Sequence, residues 1–334
     1  DADLEGRSDL RHMPFVTIDG ESAKDFDDAV TMLSEENLFR LFVAIADVSH
    51  YVRPGSIIDQ AATERSTSVY FPGYCLPMLP EKLSNEVCSL KPDVDRLVMV
   101  AEIVFDQSGQ RRTADFYPAI IRSKARLTYN NVQTILDDSG SDQGDNQEDC
   151  LGQLYSMQDL AKRLTFLRLQ RGSFELDVPE PEIGLDAAGN PATIAYATRL
   201  AAHRVVEEFM LAANEAVAEF LAGKGRALPY RIHEEPDQAD FAGLNNFLAA
   251  RGRNKIGRNG MSHHDLQQLL LEIDDEAEKR IVSRMILQSM KQARYSVENV
   301  GHYGLAANRY CHFTSPIRRY PDLLVHRVLK QALA

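Results

Sequence analysis

The chain has 334 residues, with 49 acidic and 37 basic side chains and a formal net charge of −12. Hydrophobic residues make up 44% and charged residues 26%, a composition that indicates a packed globular protein and excludes a disordered or collagen-like chain. The acidic balance argues at first against a nucleic-acid partner, because phosphate contacts need clustered Lys and Arg.

Strand-like runs come first along the chain. They cover residues 15–18, 41–46 and 97–105, and Ser108-Gly109 predicts a hairpin turn into a further strand near 114–121. Helical spacing of apolar residues follows at 130–136, 151–171, 201–222 and 266–290, and again after Pro321. This order predicts an α+β fold.

Several segments differ from the average in charge. The acidic stretches 19–28, with a net charge of −4, and 137–149, with −6, account for −10 of the −12, and we expect the second to be a solvated, mobile loop. Residues 251–260 are basic and glycine-rich, which also predicts a flexible loop. Residues 111–126 carry five basic side chains against one acidic side chain, so charge placement permits a nucleic-acid partner.

The cysteines, at positions 75, 88, 150 and 311, are too few for a disulfide scaffold. They indicate a reduced, intracellular protein, and we expect a cytoplasmic one. No apolar run approaches the roughly 20 residues that span a bilayer, so we expect no membrane partner. The sequence lacks an initial Met and stops within a helical pattern, so we expect it to be part of a longer polypeptide.

The most informative pattern is the aspartate cluster of residues 19–28. Asp19, Asp25, Asp27 and Asp28 lie within ten residues, between two apolar runs. Carboxylates so close together raise one another's pKa, so a folded site must protonate some of them or bind a cation. An all-oxygen set suits Mg²⁺ or Mn²⁺ rather than zinc.

Two alternatives compete with a magnesium or manganese site. An EF-hand fails on spacing, because the sixth position is Lys24 rather than Gly and the twelfth is Val30 rather than Glu. A solvated acidic turn is the other alternative, and the apolar flanks weaken it because they indicate a loop held between core strands. Carboxylates that bind Mg²⁺ on a rigid scaffold indicate phosphoryl chemistry.

Residues 312–322 place the adjacent Arg318 and Arg319 in a turn ahead of the last helix. Guanidinium groups bind phosphate bidentately, and a helix N-terminus adds N–H donors. The alternative is a surface turn whose arginines pair with nearby acids. Together with the aspartate cluster, the turn predicts a phosphodiesterase centre.

Aromatic side chains lie beside basic residues or turns at Tyr70, Phe71, Tyr129 and Phe174. Rings in such places can stack on unpaired bases. The alternative for each of them is packing in the core.

Five segments in order, residues 9–11, 17–30, 43–49, 67–72 and 312–320, resemble the signature segments of the RNB catalytic domain of the ribonuclease II superfamily. Segments 76–80, 90–97 and 289–295 are most similar to the ribonuclease R branch of that superfamily. The resemblance implies one catalytic domain over residues 1–334, with a mixed or antiparallel β-sheet flanked by helices and an RNA channel leading to a buried site.

The resemblance also implies an activity. It is that of a processive 3′→5′ exoribonuclease that uses Mg²⁺, with Mn²⁺ as a substitute, and hydrolyses single-stranded RNA to nucleoside 5′-monophosphates. Asp19, Asp25 and Asp28 would hold metal, Asp27 would organise a second metal and the attacking water, and Arg318 would grip the scissile phosphate.

The resemblance assigns RNA contacts as well. Tyr70 and Phe174 would sandwich the last nucleotides, Tyr129 would border the terminal nucleotide, and Glu207 would contact its base or sugar, with Glu208 as the alternative. The family's cold-shock and S1 RNA-binding modules do not occur in this sequence, so we expect catalysis rather than tight RNA capture. No obligate protein partner is indicated.

Two other hypotheses stay open. A non-catalytic RNA-binding or regulatory relative would keep the fold without the chemistry, although the complete set of four aspartates and Arg318 argues against it. A metal-binding protein unrelated to RNA is the second.

Overall fold

The structure is a computed structural model that describes residues 4–35, 37–138, 151–174, 176, 181–186, 189–196, 198–256 and 263–334. Most of the acidic stretch predicted as a loop, 139–149, and part of the basic one, 257–260, lie outside the described residues. The chain divides into two compact units. The first comprises Asp1–Thr165, Thr198–Pro229 and Cys311–Ala334, and the second Phe166–Ala197 and Tyr230–Tyr310.

A mixed seven-stranded sheet and a separate hairpin form the β-structure of the first unit. The strands are β1 (Ser8–Asp9), β2 (Val16–Asp19), β3 (Asp28–Glu35), β4 (Leu38–Ala46), β5 (Val69–Phe71), β6 (Tyr74–Leu76), β7 (Asp95–Asp106), β8 (Arg111–Arg122) and β9 (Ala125–Thr128). The sheet order is β1-β8-β7-β4-β3-β2-β9, and β5 pairs with β6. The pairs β1/β8 and β2/β9 are parallel, whereas the other neighbours are antiparallel.

The central strands β4 and β7 are nearly continuous runs of buried apolar residues. Such runs are typical of strands that are covered on both faces. The mixed sheet, which the family resemblance implies, is confirmed, and β8 extends beyond the predicted 114–121 on both sides.

Helices form at the predicted segments 130–136, 151–171, 201–222 and after Pro321, whereas the helices at 48–51, 57–65 and 242–250 were not predicted. The α-helices are α1 (Val48–Tyr51), α2 (Ile57–Arg65), α3 (Tyr129–Asp137), α4 (Gln153–Gln170), α5 (Ala201–Gly223), α6 (Ala242–Ala250), α7 (His263–Leu271), α8 (Glu276–Ser289) and α9 (Tyr320–Leu333). A short π-helix covers Lys82–Val87. Among the described residues, none of the helices has the length and hydropathy needed to cross a bilayer.

In the second unit, the predicted helical stretch 266–290 is two helices rather than one. Asp275 begins the second of them, α8, because its side chain accepts the N–H of Glu278 at 2.6 Å and caps the new helix. Helices α6 to α8 share an apolar core with Phe241, Leu266 and Ile286. The sequence did not predict two further antiparallel pairs in this unit, the hairpin of β10 (Pro181–Leu185) with β11 (Pro191–Tyr196) and the pairing of β12 (Tyr230–Ile232) with the distant β13 (Arg294–Ser296).

The main core of the first unit reaches both sequence motifs. Phe26, from the aspartate cluster, is 5% exposed, and Ile317, from the arginine turn, is 1% exposed, and both belong to one buried apolar cluster. Burying each of these side chains contributes roughly 1.5–3 kcal/mol. The same interactions that stabilise the fold therefore bring the two motifs together.

A buried ion-pair network ties α9 to the sheet. Asp47, directly after β4, is 1% exposed and binds Arg7 at 2.6 Å and Lys330 at 2.5 and 2.7 Å. Burial acts to raise the pKa of Asp47, but Lys330 and Arg7 outweigh it and lower this pKa to about 2. The carboxylate is therefore charged at neutral pH and holds the last turn of α9 in place.

Asp47→Asn should lower the free energy of unfolding by roughly 3–5 kcal/mol, because it leaves the buried Arg7 and the partly buried Lys330 without their counter-charge. The depressed pKa means that the loss is full above about pH 4 and shrinks as the pH falls towards 2. Urea unfolding followed by circular dichroism measures it. Arg122→Gln, at the exposed pair with Asp95, is the control and should change little; equal effects would contradict the assignment.

Candidate active site

The aspartate loop, residues 20–27, connects β2 to β3, with Asp19 at the end of β2 and Asp28 at the start of β3. The β2/β3 ladder pairs Val16 with Val30, so the chain beyond this pair opens into the loop. Two strand ends of one rigid sheet thus set the positions of Asp19 and Asp28.

Ser89 fixes the second half of the aspartate loop. Its hydroxyl donates to the carbonyl of Lys24 at 2.7 Å and accepts the N–H of Phe26 at 3.1 Å. The N–H of Leu90 donates to the carbonyl of Phe26 at 3.0 Å. These bonds orient the backbone just before Asp27.

Asp27 joins the loop to the arginine turn. Its side chain is 4% exposed, its Oδ1 accepts the N–H of Ile317 at 2.8 Å, and its Oδ2 lies 3.7 Å from Nε of Arg318. Burial raises the pKa of Asp27 well above its ordinary value, although Arg318 and the N–H of Ile317 oppose the rise. The structure therefore brings the aspartate loop and the arginine turn together.

The two adjacent arginines have different surroundings. The Arg319 side chain is 19% exposed and donates to Asp322 at 2.8 Å, as the alternative of a turn paired with acids describes. The Arg318 side chain is 43% exposed and donates to the hydroxyl of Ser315 at 3.0 Å. Arg318 is therefore the arginine that can reach a phosphate beside Asp27.

The arginine turn is held from two sides. Asp322, fully buried in the first turn of α9, accepts the N–H of Ser315 at 2.8 Å. The carbonyl of Arg318 accepts the hydroxyl of Thr67 at 3.0 Å and the N–H of Ser68 at 2.9 Å. The second contact ties the turn to the segment that leads into β5.

The β5–β6 hairpin presents Tyr70 to the aspartate loop. The Tyr70 hydroxyl donates to Oδ2 of Asp25 at 3.0 Å, and the residue is 53% exposed. Burial, followed by the charge of Asp25, raises the pKa of Tyr70. The register pairs Tyr70 with Cys75 and Phe71 with Tyr74, so Phe71 lies on the opposite face of the hairpin. Of the predicted aromatic pair, only Tyr70 faces the aspartates.

Tyr129 follows Thr128, which pairs with Asp19 in the parallel β2/β9 ladder. Thr128 caps α3, of which Tyr129 is the first residue. Burial, followed by the charges of Asp28 and Asp19, raises the pKa of Tyr129, and its ring packs on His203 with centroids 4.0 Å apart. The fold therefore brings this predicted RNA contact to the aspartates.

The structure separates the roles of Glu207 and Glu208. The Glu207 side chain is 39% exposed and pairs with Arg199, one helical turn after His203 on α5. Glu208 is 3% exposed and accepts the hydroxyl of Thr165 at 2.9 Å. Of the two side chains only that of Glu207 is exposed, and its contact with RNA stays a prediction.

Phe174 lies in the second unit, where it packs against the apolar core. Its ring centroid is 6.2 Å from that of Tyr303 and 6.5 Å from that of His263. This is the core packing given as the alternative for the aromatic residues, and an RNA contact by Phe174 stays a prediction.

Burial and mutual repulsion govern the remaining carboxylates. Burial, then Asp28 and Asp25, raise the pKa of Asp19 to about 8, and burial raises the pKa of Asp28 to about 6. Oδ2 of Asp19 is buried without a hydrogen-bond partner among the described residues. A pair of partly buried carboxylates, one with an unsatisfied oxygen, fits a divalent cation.

The four predicted metal ligands are not brought together as one ready-made cage. In the described part of the chain, no three or more His, Cys, Asp or Glu side chains are grouped so that they could hold a metal ion. Asp25 accepts a hydrogen bond from the hydroxyl of Tyr70, and Asp27 accepts one from the N–H of Ile317. Mg²⁺ is usually held by one or two carboxylates together with water and substrate phosphate, so Asp19 and Asp28 fit that ion.

The basic segment 111–126 is largely paired with acids. Arg111 pairs with Glu219, Arg112 with Asp106 at 2.7 Å, and Arg122 with Asp95 at 2.7 Å. These pairs reduce the positive potential that the sequence suggested for this segment.

Sequence reasoning missed Ser89 and Asp322, which position the site through hydrogen bonds to backbone. Asp322 had a local signal, since it follows Arg319 by three residues in a helix start, where acidic side chains are favoured. Ser89 had none, because its partners are more than 60 residues away.

Comparison with known proteins adds independent information. The model of the RNB domain family matches residues 7–334, which span both units. The chain is 44% identical over 330 residues to ribonuclease R of Thermotoga maritima and 43% identical over 330 residues to ribonuclease R of Vibrio parahaemolyticus. These alignments cover 98% of this chain but 46% and 39% of those proteins, so the chain spans less than half of their length.

A solved structure is similar as well. RNase R of Mycoplasma genitalium, in complex with ribose-methylated single-stranded RNA, matches with a TM-score of 0.92 and 36% identity. The match covers 98% of this chain and 51% of that chain.

Asp19→Asn should stabilise the metal-free protein at pH 8 by up to about 2 kcal/mol and leave it nearly unchanged at pH 4. The folded state binds the Asp19 proton more tightly than the unfolded state, so stability falls as the pH rises between 3.8 and about 8. Thermal unfolding with and without Mg²⁺ measures this, and Mg²⁺ should stabilise the wild type more than the variant. Destabilisation at pH 8 would contradict the electrostatics described here.

Proposed function

The chain belongs to the RNB domain family, and on this basis we propose that it is a 3′→5′ exoribonuclease of the ribonuclease R type. It would hydrolyse single-stranded RNA processively to nucleoside 5′-monophosphates in the cytoplasm. The observation that carries the proposal is the buried Asp27 carboxylate fixed beside Arg318, because phosphodiester hydrolysis needs an oriented carboxylate and a cation at one point. The solved relative that holds single-stranded RNA supports the choice of substrate.

Asp19 and Asp28, with Asp25 and Asp27 as further ligands, would hold Mg²⁺ or Mn²⁺, and a pair of such ions stabilises the attacking and leaving oxygens of phosphodiester hydrolysis. The protein's own part is positioning. The Ile317 N–H holds one oxygen of Asp27, and the other, 3.7 Å from Nε of Arg318, would orient the attacking water. Arg318, partly exposed, would neutralise the charge that develops on the phosphate.

RNA would be held by rings rather than by base-reading contacts. The exposed Tyr70 ring would stack on a base near the 3′ end, Tyr129 would border the terminal nucleotide, and Glu207 would contact it. Stacking uses the π-face that every base has. Low sequence selectivity follows.

A non-catalytic RNA-binding relative is the second candidate. One observation favours it, since no group of three metal-ligating side chains occurs among residues that the structure describes. Release of mononucleotides from a labelled oligoribonucleotide in Mg²⁺ separates the two functions. Wild-type protein that binds this RNA and releases nothing would establish the second candidate.

Asp27→Asn should reduce turnover by roughly a hundredfold to a thousandfold, because a neutral amide cannot orient the water and the metal as the carboxylate does. RNA affinity, measured by fluorescence anisotropy in EDTA, should stay within about twofold, since Asp27 is buried and does not line an exposed RNA contact. Asp115→Asn, at an exposed strand position, is the matched control. Parallel loss of binding and turnover would contradict the role.

Tyr70→Ala and Tyr70→Phe separate the ring of Tyr70 from its hydroxyl. The alanine variant should change the length of the final RNA product, because stacking sets how the last nucleotides are clamped. The phenylalanine variant keeps the ring and should keep the product length, while it frees Asp25 from its hydrogen bond. Denaturing gels of a 5′-labelled RNA resolve the products. The same product length in all three proteins would refute the stacking role.

A further inference from the structure

Arg126 contacts the aspartate loop in three places. It lies in β9, opposite Thr17 of β2. Its Nη2 donates to the carbonyl of Gly20 at 3.1 Å and to the carbonyl of Glu21 at 2.7 Å. Its guanidinium carbon lies 5.4 Å from the ring centroid of Phe26. One side chain thus bridges the beginning and the end of the loop.

This bonding pattern differs from that of the neighbouring arginines. Arg111, Arg112 and Arg122 pair with the carboxylates of acidic side chains. Arg126 instead binds two successive backbone carbonyls, which fixes the path of the chain directly after Asp19. Its forked, planar guanidinium suits this bonding, whereas a lysine ammonium is a point charge on a flexible stem.

We propose that Arg126 is a positioning residue that holds the aspartate loop in the conformation in which Asp19 and Asp28 receive a divalent cation. Without it, the loop would have to lose conformational entropy when the cation binds, and the affinity would fall accordingly. Ser89 holds the second half of the loop. In the first half, Asn130 binds only the side chain of Glu21 at 3.0 Å, whereas Arg126 binds the backbone carbonyls. The cation-binding part of this inference rests on the proposed function, whereas the ordering of the loop does not.

The competing view is purely electrostatic, and it predicts the opposite change in cation affinity when Arg126 is removed. Arg126 is close enough to Asp19 for its charge to oppose the rise in the pKa of that carboxyl. A positive charge so near the site repels a second cation, so removing it would strengthen cation binding. A positioning role means that removing Arg126 weakens binding.

The experiment compares Arg126→Lys, which keeps the charge, with Arg126→Gln, which removes it, and with Arg122→Gln as a matched control. Hydrogen–deuterium exchange of the metal-free protein measures the order of residues 20–26, and Mn²⁺ titration at pH 8, followed by electron paramagnetic resonance, measures cation binding. Both Arg126 variants should show faster exchange in the loop and a half-saturating Mn²⁺ concentration raised roughly tenfold. Arg122→Gln should match the wild type in both measurements.

A rescue variant distinguishes positioning from general damage. A Cβ at Gly20 would meet no atom within 4 Å, so Gly20→Ala fits the loop and restricts its unfolded conformations. Added to Arg126→Lys, it should recover Mn²⁺ binding by roughly two- to fivefold. Failure of the rescue, together with slower or unchanged exchange in the loop, would count against the inference.

The outcomes separate this inference from the proposed function. If Arg126→Lys binds Mn²⁺ as tightly as the wild type does, or more tightly, the positioning role is overturned, whether or not the protein degrades RNA. Wild-type protein that degrades no RNA overturns the proposed function, and the positioning role then stands or falls on loop exchange and Mn²⁺ binding alone. If Arg126→Gln does not fold, Arg126→Lys, which retains a donor and the charge, decides the question.

Discussion

The hydrogen bond between the buried Asp27 carboxylate and the N–H of Ile317 is the constraint on which the site depends. A buried carboxylate is costly unless hydrogen bonds compensate for the lost water, so Asp27 requires the arginine turn to be in place. The turn then places Arg318 beside Asp27, and the carbonyl of Arg318 binds Ser68, close to Tyr70. The hydrogen bond between Asp27 and Ile317 thus connects the aspartate loop, the arginine turn and the β5–β6 hairpin.

Hydrophobic packing offsets the free-energy cost of burying that hydrogen bond, because Phe26, next to Asp27, and the side chain of Ile317 lie in the same apolar cluster. The aspartates that repel one another are therefore held together by hydrophobic packing and by cations of the protein itself. Arg318 acts on their charge, and Arg126 and Ser89 bind the loop backbone. Repulsion among the aspartates lowers the stability of the metal-free site, and such a cost is common where function requires several like charges in one place.

Periodicity in the sequence predicted the local elements well, including β7 and α5, because these depend on which residues face the core. The aspartate cluster and the arginine turn were also readable, and the predicted family and α+β fold with a mixed sheet are confirmed. What was missed depended on individual side-chain contacts, which apolar periodicity does not report, and for Ser89 the contacts are also distant in sequence. The break before α8 needed the Asp275 cap, and the different surroundings of Arg318 and Arg319 needed Asp322. Which side chains of the short β5–β6 hairpin face the aspartates depends on the register of its two strands, and the sequence alone did not give that register.

The 290 positions between Asp27 and Ile317 also have a consequence for how the protein is made. A ribosome adds about 5–20 residues per second, so the carboxylate leaves it roughly 15 to 60 s before its partner. For that interval the nascent chain carries the aspartates without the arginine. An RNA-degrading enzyme of the kind we propose would thus be inert for that interval, while its chain is still attached to its own messenger.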